Sequence, residues 1–136
     1  MAKRTSTRDV EKAYGRTRLR AAHAFLEQAE ATQESSTDDY QRAAAASSAI
    51  LAAIAAVDAA CALRLGQVWK GEHTQAHTLL LTIKNSEKAA TALQRVVSRK
   101  SEIQYMAEAV SEAKLLAAIR QAETVVGFAD EIQASS

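Results

Sequence analysis

Ile50-Leu51-Ala52-Ala53-Ile54-Ala55-Ala56-Val57-Asp58-Ala59-Ala60-Cys61-Ala62-Leu63-Arg64-Leu65-Gly66 decides the fold. Ile50, Ile54, Val57, Cys61, Leu65 and Val68 recur at intervals of three and four, the spacing of one helical face. Leu51, Ala62 and Trp69 widen that stripe. The spacing predicts a helix from about Asp38 to Trp69, roughly 48 Å long at ~1.5 Å per residue. Gly66, then Lys70-Gly71, supply its stop signal.

Working outward, Ser6 and Asp9 form a capping box for a first helix from about Thr7 to Glu34. Its apolar seam is Val10, Tyr14, Ala21, Phe25 and Ala29. Glu34-Ser35-Ser36-Thr37-Asp38 reads as a turn and a new cap. A third helical region starts near His73 or Thr74, is anchored by Leu79, Leu80, Leu81 and Ile83, breaks at Asn85-Ser86 and resumes through Leu93, Val96 and Val97. A short segment, Arg99 to Met106, leads to a last helix that starts near Ser111 and carries Leu115, Ile119, Ala122, Val126 and Ala129 on one stripe.

The 136 residues contain no proline and four glycines, too little punctuation for a β-rich or α/β chain. The expected fold is all-α: a single domain over 1–136, an up-and-down antiparallel bundle of four to five helices. The net charge of +1 does not describe a polyelectrolyte binder. The lone Cys61 excludes an internal disulfide and suits a reducing cytoplasm. Ala43 to Ala62 is the one membrane candidate. Ser47, Ser48 and Asp58 interrupt it, so a buried helix and no membrane partner are expected.

Four features carry candidate chemistry. Asp58 falls inside the apolar arc of the second helix, and a buried carboxylate needs a partner. The bland reading is a structural ion pair or hydrogen bond, with His73 or Tyr105 as partner; the sharp one is a carboxylate lining a site. His73 and His77 stand four apart at a helix start and share a face. His-Thr-Gln-Ala-His lacks the glutamate of the metalloprotease motif, so no metal and no cofactor are expected. Arg99, Lys100, Gln104 and Tyr105 put cations beside a tyrosine, as phosphate or base binding requires, or else form a solvated rim. Residues 1–20 hold seven Lys or Arg against two acids. Arg8, Lys12, Arg16 and Arg20 recur every four residues, a basic stripe able to track phosphates and equally able to remain a solvated face.

Ala53-Ala-Ile-Ala-Ala-Val-Asp58-Ala-Ala, Arg64-Leu-Gly66, Gly71-Glu-His73, Ala76, Leu79-Leu80 and the later Lys100-Ser-Glu-Ile-Gln-Tyr105, followed by a final helix with Ala122, together resemble prokaryotic HEPN-domain proteins over about residues 40–130. The resemblance implies two antiparallel pairs of long helices, a homodimer, and a link to RNA or nucleotides. Some members of that family are RNase toxins found with a nucleotidyltransferase-like antitoxin; others are non-catalytic binding modules. Active members carry an Arg, four to six residues, then a His in a late helix. Here Arg99 is followed at that spacing by Gln104, which exchanges no proton at neutral pH. Arg18 and His23, or Arg16 and His23, fit the spacing formally but lie in helix one.

The expected function is therefore a non-catalytic HEPN-like module binding RNA, a nucleotide or a partner protein, with Asp58, His73, Lys100 and Tyr105 at the site. One alternative is a metal-independent RNase toxin with His73 as base and Arg64, Arg99 or Lys100 stabilising the phosphorane. The other is an unrelated helical interaction subunit.

Overall fold

The computed structural model describes residues 6–35, 38–100, 103 and 109–136. They form an all-α bundle: α1 (Lys12–Ser35), α2 (Asp39–Leu65), a 3-10 turn (His73–Gln75), a short α3 (His77–Leu80), α4 (Glu87–Val97) and α5 (Glu112–Ala134). Two short strands, β1 (Thr7–Asp9) and β2 (Gln67–Trp69), accompany them.

The helices end where local chemistry ends them. The Asp38 carboxylate accepts from the Gln41 N–H at 2.8 Å, capping α2. Gly66 takes φ 70° and returns its N–H to the Ala62 carbonyl, a left-handed stop natural to glycine. Asn85, at φ 65°, separates α3 from α4; asparagine tolerates this region better than most residues. Ser111 caps α5, accepting from the Lys114 N–H at 3.1 Å.

β1 precedes α1 and β2 follows α2, and the two pair antiparallel with Arg8 opposite Val68. The start of α1 therefore lies beside the end of α2, and the helices form an antiparallel hairpin. Val10 N–H to Gly66 O (2.9 Å) and Lys70 N–H to Ser6 O (2.8 Å) extend this clasp. The Arg42 guanidinium, near the start of α2, donates to the Val110 carbonyl just before α5 at 2.6 Å. Arg64, near the end of α2, reaches Ser135 past the end of α5. Helices α2 and α5 thus run parallel, while α1 and α4 run the other way.

The core is built on α2. From Ala52 to Leu63 every residue except Asp58 is buried. Alanine there keeps helix propensity high while letting neighbours approach. At Gly15 of α1 an added Cβ would stand 3.0 Å from the Ala62 Cβ and 3.2 Å from the Ala59 carbonyl oxygen. Helix α2 is long and apolar enough to cross a membrane, yet 78% of its most apolar window is buried inside the bundle.

Several expectations are corrected. Helix one begins at Lys12 and not Thr7, so Ser6 and Asp9 form no capping box; Thr7–Asp9 is a strand. Helix two ends at Leu65, and Val68 and Trp69 belong to β2. Leu51 is not part of the buried stripe but 42% exposed. His73 and His77 do not share a helical face, since a 3-10 turn holds one and α3 the other. The break at Asn85-Ser86 and the start of the last helix at Ser111 stand as read, and all five residues of its stripe are buried.

Candidate functional site

Asp58 faces α1, and its partner there is Arg18, not His73. The Arg18 Nε donates to Asp58 Oδ2 at 3.2 Å and Nη2 lies 3.2 Å from the same oxygen. The carboxylate is only 16% exposed. Burial pushes its pKa up to about 6, against the opposing pull of Arg18 and, more weakly, Arg8. At neutral pH it is mostly ionised and sits close to its titration range.

His73 stands at the same end of the bundle, in the 3-10 turn that follows β2. Partial desolvation depresses its pKa; the charges of Lys100 and then Arg18 add to this, and Glu72 opposes it. The shift favours the neutral imidazole, which donates from one nitrogen and accepts at the other. Arg18 of α1 thus pairs directly with Asp58 of α2, and its charge, with that of Lys100 after α4, is felt at His73 in the turn. Arg8 adds a further cation. It lies over the Tyr14 ring, 5.0 Å from the centroid. With His73 neutral, Arg8, Arg18 and Lys100 outnumber Asp58 and Glu72, leaving a local excess of one positive charge.

The turn is braced from beneath. The Trp69 indole N–H donates to the Glu72 carbonyl at 2.8 Å, and a Cβ on Gly71 would stand 3.2 Å from the indole ring. Glycine at 71 therefore lets the chain fold flat over Trp69 and present His73 beyond it.

The other sequence candidates lie elsewhere or apart. Tyr105 and Gln104, with most of the segment Arg99 to Met106, lie outside the described residues. Arg64 is exposed on the last turn of α2, where it turns to α5 and Nη2 donates to Ser135 Oγ at 2.9 Å. Arg99 is half-buried in the turn after α4. Arg8 is in β1, so it does not continue the helical stripe; Lys12, Arg16 and Arg20 remain exposed on α1. Among the described residues, no group of three or more His, Cys, Asp or Glu side chains is arranged to hold a metal ion.

Sequence reasoning missed two features. Arg18 appeared only as part of a formal Arg-to-His spacing, because its partner lies 40 residues away. His23 pairs with Asp130 of α5, Nε2 to Oδ1 2.7 Å, in an open groove of about 600 Å³ lined also by Arg20 and Glu27. The signal available was Asp130 beside the apolar Ala129, one step off the buried stripe of its helix.

The site can grip an anion. Two flexible or forked cations and a neutral imidazole present donors, and the Asp58 carboxylate orients the Arg18 fork. Compared with models of protein families, with curated proteins and with solved structures, the chain matches none.

Proposed function

We propose that this chain is a non-catalytic, HEPN-like homodimeric module that binds RNA or a nucleotide through a phosphate held at the Arg18–Asp58–His73–Lys100 cluster. The observation that carries the reading is the Arg18–Asp58 pair whose cation, with Lys100, is felt at His73, with cations in excess over acids. The resemblance over residues 40–130 supplies the ligand class and a nucleotidyltransferase-like partner, as in a toxin–antitoxin pair, and the lone Cys61 suits a cytoplasmic setting.

A binding role fits better than cleavage. Gln104 stands where the family's catalytic histidine is expected, and it carries no titratable proton. The rival with a specific observation behind it is the RNase toxin. Desolvation, with the charges of Lys100 and Arg18, biases His73 towards the neutral form, the state a general base needs with phosphate-stabilising cations near it.

The deciding experiment pairs binding with turnover. Purified wild type, His73→Ala and Lys100→Ala are titrated with a nucleoside triphosphate and with a short RNA, and the RNA is then checked for cleavage in the presence of a chelator. Binding by wild type that weakens about tenfold in Lys100→Ala, without cleavage, is the expected result. Cleavage that disappears in His73→Ala overturns the binding-only reading in favour of the nuclease. No binding to either ligand removes the phosphate site.

A further inference from the structure

The outward side of the α4–α5 pair carries two adjoining grooves of about 440 and 340 Å³, which share Lys88 and Thr124. Along α5 the bordering residues include Arg120, Thr124, Gly127 and Glu131, spaced four, three and four apart, with Gln121, Glu123 and Phe128 beside them. That spacing places them on one face of the helix. The face is cationic at Arg120 and anionic at Glu131, with two small residues between. Among the described residues, neither Arg120 nor Glu131 takes part in an ion pair.

Gly127 is the unexplained residue of this face. It lies well inside a 23-residue helix, where glycine is the least favourable residue after proline. A Cβ built on it meets nothing within 4 Å, whereas one on Gly15 would stand 3.0 Å from the Ala62 and Leu63 side chains of α2. The fold of a single chain therefore gives a reason for glycine at 15 and none at 127.

We infer that this face of α5 is the homodimer interface, with α5 packing antiparallel on α5 of a second copy about a twofold axis midway between Thr124 and Gly127. That register sets Arg120 of each chain opposite Glu131 of the other, and Thr124 opposite Gly127. Both ends of the contact are then charge-matched, as an isologous interface demands. The small central pair lets the helix axes come to the near end of the usual ~8–10 Å range. The grooves flanking α5 receive the side chains that border it in the other copy. The inference deepens the homodimer of the proposed function and is independent of the phosphate site.

The test is sedimentation equilibrium on wild type, Gly127→Leu, Arg120→Glu and the double variant Arg120→Glu/Glu131→Arg, with helix content followed by circular dichroism. The open space at Gly127 means that leucine leaves the folded chain undisturbed. A wild-type dimer whose dissociation constant rises at least about tenfold in each single variant and recovers in the double variant is expected. A monomeric wild type overturns the homodimer altogether. A dimer that keeps its affinity in Gly127→Leu and Arg120→Glu overturns this face alone. Weakening without recovery in the double variant overturns the register.

Discussion

Arg18 and Asp58 meet across the α1–α2 interface through a single carboxylate oxygen, with both Nε and Nη2 of the guanidinium 3.2 Å from Oδ2. The pair ties the two helices of the clasped hairpin at the end where His73 stands. Its carboxylate is the more buried member, 16% exposed against 29% for the arginine side chain. The two partners are therefore unequal in what their removal leaves behind.

Removing the cation strands a buried charge, whereas removing the anion leaves an arginine that can turn to water. Arg18→Met is expected to lower unfolding free energy by about 2 kcal/mol, and Asp58→Asn by less than about 1 kcal/mol. Urea denaturation of both variants checks the order; an Asp58→Asn loss larger than that of Arg18→Met contradicts it.

The raised pKa of Asp58 fixes a pH dependence. The folded state holds the proton up to about 6, the unfolded chain only to its ordinary value of 3.8. Between those values the native protein binds more protons, so stability falls as pH rises through the window, by up to about 3 kcal/mol from this group. Glu30, whose carboxyl is raised by a hydrogen bond with Glu123, by desolvation and by the Glu123 charge, acts in the same direction. Thermal melts from pH 4 to 7 are expected to show a shallower decline in Asp58→Asn than in wild type. Parallel curves would remove Asp58 as the source.

Gly15 is fixed by close approach. Alanine there gains about 1 kcal/mol of helix propensity yet drives its methyl against Ala62 and Leu63. Gly15→Ala is expected to be neutral to mildly destabilising. Gly15→Val, with no way to avoid α2, is expected to cost about 3 kcal/mol. A Gly15→Val protein that melts with the wild type would show that the helices separate at little expense.

Cys61 is buried, and burial foremost, with the Asp58 charge, pushes its thiol up to about 12. Reaction needs the thiolate, so a disulfide reagent at pH 8 is expected to label it only at the rate of global opening, and at once in denaturant. Rapid labelling of the native protein would mean that α2 opens locally.

How much of this was legible depends on the range of the interaction. The stripe Leu115, Ile119, Ala122, Val126, Ala129 and the Ser111 cap are local patterns, and the structure returns them in place. Thr7–Asp9 and Gln67–Trp69 are three-residue strands that pair with each other, about sixty residues apart. Nothing local marks them, so periodicity runs through them into the neighbouring helices. Leu51 defeats the helical wheel for another reason: in an alanine-rich helix buried on most sides, a single leucine gives little contrast between faces. Asp58 could be singled out because a carboxylate in an apolar arc demands a partner. Arg18 could not, since several arginines on α1 were equally available and only the clasp fixes which one arrives opposite.

That clasp has a consequence for how the sequence is free to drift. Because residues 6–10 are stitched to residues 66–70, α1 and α2 form a closed circuit whose two arms must stay commensurate. Deleting one residue from α1 would turn everything beyond it by ~100° relative to α2, sending Arg18 away from Asp58 unless α2 or the connecting turn changed in step. Length variation in this part of the chain should come in compensating pairs, and unpaired insertions should accumulate beyond Lys70, outside the circuit.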